Sequence, residues 1–202
     1  MKNIIKITLL LFSAVCSAQS PVIDILDDNG TYTTGAYYQD TNDLLNTFEG
    51  TWLYTNGSTS LKIELVKKIR QYNRAYYEDV IIGEYEYKVN NVALISTLSE
   101  INTIYPNQPA QHNIGGNSLI KKTTKPICAD CLNDEKRLEL GFQDPILDSY
   151  GYMIIKKTTQ NGQEAIRIRT KREGIGTPWI MGTPEPPRDF TVPAGEYILI
   201  KQ

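Results

Sequence analysis

An all-β chain, folded as an antiparallel up-and-down barrel of about nine strands, is what three features of this sequence predict. Short runs of alternating apolar and polar residues recur along it, each closed by turn residues. Tyrosine is abundant, at 13 against 4 Phe, and β-branched residues crowd the alternating runs, a composition that favours sheet. Most neighbouring runs are joined by hairpin-length turns. That favours a barrel over the alternative, a β-sandwich, and closure would also remove exposed strand edges.

The chain opens with Lys2 and Lys6 around an apolar run, Ile7 to Val15, closed by the small residues Ser13, Ala14, Cys16, Ser17 and Ala18. This is the layout of a secretory signal peptide, and the run is too short to span a bilayer. Cys16 and Ala18 occupy the small-residue positions that place cleavage after Ala18, so residues 1–18 are read as removed. The alternative is a lipoprotein anchored through Cys16. Val15 is bulky where a small residue is wanted and Ser13 stands where Leu is usual, which favours an exported periplasmic or secreted product. No later segment is long and apolar enough for a membrane helix, so the protein is not expected to be membrane-spanning. The whole chain carries a net charge of −2, and removing the leader takes two lysines and no acid. That balance gives no electrostatic footprint for nucleic acid or anionic lipid.

Residues 19–47 read as an irregular N-terminal arm. Asp24, Asp27, Asp28 and Asn29 lack the alternate-residue spacing and closing Glu of a calcium loop, so a solvated arm is expected. Asp43 to Asn46 suggest one helical turn leading into the barrel, residues 48–202. There Thr51–Thr55 should pair with Thr59–Ile69 across an Asn56-Gly57 turn. Leu61, Ile63 and Leu65 share one face of the second strand, so its register is well specified. Tyr76–Val89 is long, and Gly83 in its middle suggests a bend or bulge. Asn90-Asn91 marks the next hairpin, with Val92–Leu98 beyond it. A loop over 99–116, a short strand Ser118–Lys122 and the cysteine segment follow. Arg137–Phe142, then Tyr150–Thr158 and Glu164–Arg172 around Gln160-Asn161-Gly162, complete the central strands. A Pro- and Gly-rich loop over 174–193 carries Trp179, Ile180 and Met181. Gly195–Lys201 closes the series.

Candidate chemistry is sparse. In an exported chain Cys128 and Cys131 read as a local disulfide, with a free redox pair or metal ligation as the alternatives. A zinc site needs about four ligands, and His112 is the one histidine. Loop residues flank the pair where a redox motif would open a helix. No metal and no cofactor is therefore expected. His112 reads as a surface-loop residue with no nucleophile elbow near it. Glu84 and Glu86 fall on an outward strand face, where solvation leaves carboxyls ordinary. Arg167, Arg169 and Lys171, with Lys156 and Lys157 on the neighbouring strand, read as a solvated basic stripe. With no base–nucleophile set, the protein is read as not an enzyme; a hydrolase is the least favoured reading.

Phe48-x-Gly50-x-Trp52 resembles the Gly-x-Trp signature of lipocalins and related calycin barrels. The resemblance implies a lipocalin-like barrel in which Trp52, with Gly50, closes one end against a basic side chain of the last strand, here Lys201. A wider likeness covers Gly35-Ala36-Tyr37-Tyr38-x-Asp40-Thr41-Asn42, Phe48-x-Gly50-Thr51-Trp52-x-Tyr54-Thr55-Asn56-Gly57, Tyr76-Tyr77-Glu78-Asp79-x-Ile81-Ile82-Gly83-Glu84-Tyr85 and the ending from Val192-Pro193 to Lys201-Gln202. These runs resemble a family of small exported Bacteroidetes proteins. That likeness implies export and fold and adds no chemistry.

The functional expectation is an exported, non-enzymatic barrel that binds a small apolar or amphipathic ligand in its interior. Tyr85 and Tyr87 would line the site, and Trp179 and Met181 would form a lid at the end opposite Trp52. The alternative is a protein-interaction or envelope-structural module with a filled core, its partner an envelope protein.

Overall fold

The alternating runs become strands, and eight of them close into a ring. The structure is a computed structural model that describes residues 20–28, 30–175 and 189–202. Two short strands lie in the N-terminal segment, β1 (Val22–Asp24) and β2 (Tyr37–Gln39). The ring is built from β3 (Gly50–Asn56), β4 (Thr59–Asn73), β5 (Tyr76–Val89), β7 (Ile114–Ile120), β8 (Arg137–Asp144), β9 (Ser149–Gln160), β10 (Gln163–Ile175) and β11 (Glu196–Lys201). Each pairs antiparallel with its neighbours in chain order, β11 returns to β3, and β7 pairs with β5. The up-and-down barrel is thus observed, and ring closure removes the sandwich alternative. One predicted strand, β6 (Val92–Ser96), stands outside the ring and pairs with the last residues of β5. Three strands share that edge of β5: β2 at Tyr77 and Glu78, β7 at Ile81 to Gly83, and β6 from Glu86 onward.

Turn chemistry sets the register. Asn90-Asn91 and Asn161-Gly162 both have positive φ at their two central residues, as type I′ hairpin turns require. The β3–β4 turn differs from the expectation by one residue. Asn56 pairs with Thr59, so Gly57 and Ser58 form the turn, with Gly57 at φ 58°. Gly83 also has a different cause from the bend expected of it. Register runs through it unbroken, and the shift lies between Lys68 and Gln71 instead. A Cβ at Gly83 would sit 2.6 Å from Leu65 Cδ2 and 2.8 Å from the Glu64 carbonyl, so the seam between β4 and β7 leaves no room for a side chain.

The barrel interior is solid. Trp52, Ile63, Tyr85, Leu138, Met153 and Leu199 are all 0 % exposed, so no space large enough for a water adjoins them. This corrects the expectation that Tyr85 and Tyr87 line a ligand cavity. Tyr85 packs its ring 4.9 Å from Phe142 and donates its hydroxyl to the Gln143 carbonyl at 3.0 Å. Tyr87 is likewise buried. Each is core because alternation along β5 turns it inward. Phe190 and Val192, which lie in the connection that leads into β11, are also buried, Phe190 edge-on to Phe142. Trp179 and Met181, expected as a lid, lie outside the described residues.

Trp52, the residue expected to close one end, is fully buried. Its indole Nε1 donates to the Phe48 carbonyl at 3.0 Å, and its register partner on β11 is Lys201. Lys201 Nζ stands 5.2 Å from the ring centroid, and Lys157 Nζ stands closer, at 4.6 Å. Both lysines pair with Glu164. Gly50 has φ 132°, a conformation that side chains rarely adopt, and a Cβ there would meet Lys201 Cε at 3.1 Å. The expected role of Gly50 is therefore a steric one. Lys157 was not foreseen, although period-2 geometry contains the answer. Neighbours in a strand face opposite sides, so Lys156 and Lys157 cannot share one stripe. Lys156 points outward to Asp130 and Lys157 points to the indole.

Candidate functional site

Outside the ring, the segment expected to be a solvated arm is docked. Ala36, Tyr38 and Leu45 are buried, and β2 runs parallel to the start of β5. Two aspartates hold it. Asp79 on β5 accepts from the Tyr37 hydroxyl at 2.6 Å and from the Asp40 N–H at 3.0 Å. Asp40 accepts from the N–H groups of Leu44 and Leu45 at 2.9 and 2.8 Å, and pairs with Lys67 Nζ at 2.9 Å. Buried carboxylates with several donors are the ones a fold can hold without large cost. The predicted helical turn is a 3-10 turn at Leu45–Phe48.

Docking the arm creates a cleft. Its walls are the β4–β5 turn from Asn73 to Tyr76, Tyr32 of the arm, and Gly116 and Asn117 at the start of β7. The remaining side comes from the one-turn helix α1 (Gln108–Gln111) and Asn107 before it. The cleft encloses about 630 Å³, and a smaller recess of about 170 Å³ shares Tyr32, Glu78 and Asn117 with it. Tyr32 stacks on Tyr76 at 4.2 Å and 7°, and Tyr38 meets both edge-on. Tyr32 remains 47 % exposed, so one aromatic face is available to a ligand.

The polar centre of the cleft is Glu78. One carboxylate oxygen accepts from Asn73 Nδ2 at 2.7 Å and the other from Asn117 Nδ2 at 2.9 Å. A carboxylate offers about four acceptor positions, so two remain for a ligand. Burial raises the Glu78 carboxyl above its ordinary value, against the lowering effect of the two amide hydrogen bonds, and nearby Asp28 raises it further. The hydroxyls of Tyr32 and Tyr76 are also pushed up, mainly by burial. Asn107 Oδ1, on the cleft wall, is buried with no hydrogen-bond partner. The cleft thus presents acceptors and amides beside an aromatic face, which suits ligand hydroxyls with C–H faces between them.

Other expected sites resolve as structure. Cys128 and Cys131 form a disulfide. Asp130 between them pairs with Lys156 and Arg167, and those two cations hold its carboxyl well below the usual range. The basic stripe is therefore partly engaged in pinning the cysteine loop. His112, expected on the surface, is 1 % exposed, and Glu84, expected on a solvated face, is 0 % exposed. His112 Nδ1 lies 2.8 Å from Glu84 Oε1, its Nε2 lies 3.1 Å from Gln108 Oε1, and Asn113 Nδ2 donates to Glu84 Oε2 at 2.7 Å. Glu84 does face outward from the ring, but the loop leading into β7 folds back over it. The outlook of Glu86 is nearer the expectation, beside Lys88 at 2.7 Å.

Among the described residues no helix is long and apolar enough to cross a membrane. A family model described as a family of unknown function, DUF6705, matches residues 1–202. No curated protein and no solved structure matches the chain.

Proposed function

From the premise that the chain belongs to the family of unknown function DUF6705, we propose that it is an exported, non-enzymatic binding protein for a polyhydroxylated molecule, whose hydroxyls meet Glu78. The ligand sits in the Tyr32–Tyr76–Glu78 cleft. The observation that carries the reading is Glu78, a buried carboxyl cradled by the amides of Asn73 and Asn117 beneath an aromatic wall. The solid interior moves the ligand from the barrel to its flank, and from apolar to polar chemistry. Export is supported by the leader-like start and is compatible with the disulfide.

Calorimetric titration of the mature protein with a panel of mono- and disaccharides tests this. Saturable binding that Glu78→Ala and Tyr76→Ala abolish, in variants that still melt cooperatively, is the expected result. Absence of binding across the panel, or binding indifferent to Glu78, would refute it. A second reading, a protein-interaction module, is favoured by β6, where Val92 and Leu94 are 62 % and 47 % exposed on a strand that, among the described residues, pairs with β5 alone. Leu94→Lys would then abolish a partner contact without touching sugar binding.

A further inference from the structure

The cleft does not end at Asn117. Gly116 and Asn117 also line a second depression of about 530 Å³. Lys125 and Tyr152 carry that one into a third of about 460 Å³. The three are confluent and form a furrow across the outer face of β7, β8, β9 and β10. Its middle is shallow-floored because Gly116 has φ 141° and Gly141 stands opposite Gly115 in the β7–β8 register. From β5 to β10 is four strand spacings, roughly 19 Å, the reach of about four sugar units.

The two ends differ in charge. At the first stand Glu78, the tyrosines and Arg74. Glu139 and Glu173 line the middle, so a negative unit is held off there, whereas the far depression is lined by Lys125, Arg169 and Lys171 and by no carboxylate; Lys171 Nζ sits 5.4 Å from the Tyr152 ring centroid. β8 and β9, which floor the furrow, are paired on both sides, so no strand edge is free there for a peptide to extend. The chemistry left is a chain of hydroxyl-rich rings with an anionic group toward one end.

Resting on the reading of the Glu78 cleft given above, we infer that the ligand is an acidic oligosaccharide. A neutral unit lies at Tyr32 and Glu78, and a carboxylate- or sulfate-bearing unit reaches Lys125, Arg169 and Lys171. The test compares two ladders of two, four and six units. One is hyaluronan fragments, in which an N-acetyl sugar alternates with a uronic acid; the other is chitin fragments, which are uncharged. Affinity for the acidic ladder is expected to rise about tenfold from two to six units, to exceed that for the neutral ladder, and to fall with added salt. Tyr152→Ala and the double variant Arg169→Gln, Lys171→Gln are expected to flatten that dependence, with melting temperatures confirming that they fold. Equal binding of both ladders with no gain in length would overturn the furrow and leave the cleft reading standing. No binding of either ladder or of the short-sugar panel would overturn both.

Discussion

Two regions of this barrel, the Trp52 floor and the Glu78 cleft, use similar materials to opposite effect. Each combines aromatic rings with ionisable groups. At the floor the indole is 0 % exposed, two ammonium groups stand over it, and Glu164 neutralises both. Those two cations hold the Glu164 carboxyl below its ordinary value. At the cleft the carboxyl is buried between two amides and burial holds it above its ordinary value, and one aromatic wall stays exposed. The floor is satisfied and closed. The cleft carries an unmet electrostatic demand in an accessible place, a combination found where proteins bind or react.

The largest expected effect belongs to the floor. Trp52→Ala should lower stability by about 3–5 kcal/mol, read as a fall in melting temperature, because a fully buried ring leaves a cavity that the surrounding strands cannot fill. Lys157→Met should cost about 1 kcal/mol, and Lys201→Met no more, since either ammonium can serve Glu164 alone. If Trp52→Ala melts like the parent, the floor is not where the barrel is held shut. Sugar binding should survive all of these substitutions wherever the protein remains folded, which separates the floor from the cleft.

Next in size is the clasp that makes the cleft. Asp40→Ala removes the buried carboxylate partner of Lys67, whose side chain is 9 % exposed and which keeps Asp43 and Asn46, and it leaves the N–H groups of Leu44 and Leu45 unpaired. Breaking such a buried pair costs about 3 kcal/mol or more. Here the loss should be local in part, because the arm is an addition to a ring that closes without it. Hydrogen exchange is therefore expected to quicken at Tyr37 to Gln39 and at Tyr77 before it does in β8 to β10. Uniform quickening would show that arm and ring form one unit. Loss of Tyr32 and Tyr38 from the wall should abolish ligand binding in the same variant.

What the sequence disclosed and what it withheld divides along the same line. The floor was legible through a local motif: Phe48-x-Gly50-x-Trp52 resembles the Gly-x-Trp signature, and that resemblance implies a basic partner on the last strand, here Lys201. Lys157 follows from the period-two rule of strands, and was missed by grouping it with Lys156. The cleft was not legible. Tyr32 and Tyr38, Glu78, and Asn117 come from three separate segments, and Glu78 is remarkable only once Asn73 and Asn117 donate to it. The arm's acids suggested solvation because nothing local says that Asp40 meets Lys67, 27 residues on. Glu84 and His112 were misplaced for the same reason. Their strand and loop positions were read correctly, and what buries them is the fold-back of one on the other.

The smallest effect is the sharpest test of the contrast, because the two carboxyls should respond to pH with opposite sign. For Glu164 the folded value is depressed. Its contribution is present above the ordinary value of 4.5 and is lost as pH falls through the folded value. For Glu78 the folded value is raised, so the folded state holds the extra proton. Its contribution is present below 4.5 and is lost as pH rises through the folded value. Glu164→Gln should therefore flatten the acid limb of a stability-against-pH curve from urea melts, by a small amount because the side chain is 47 % exposed. Glu78→Gln should flatten the decline on the other side, just above 4.5. The diagnostic is slope and not height, since a glutamine facing Asn73 and Asn117 must turn one amide to keep both hydrogen bonds. Ligand adds a second readout. A hydroxyl donating to Glu78 favours the ionised form, so saturating sugar should make that decline smaller and complete it at a lower pH. A decline unmoved by both Glu78→Gln and ligand would mean that the carboxyl at the heart of the cleft is only scaffolding.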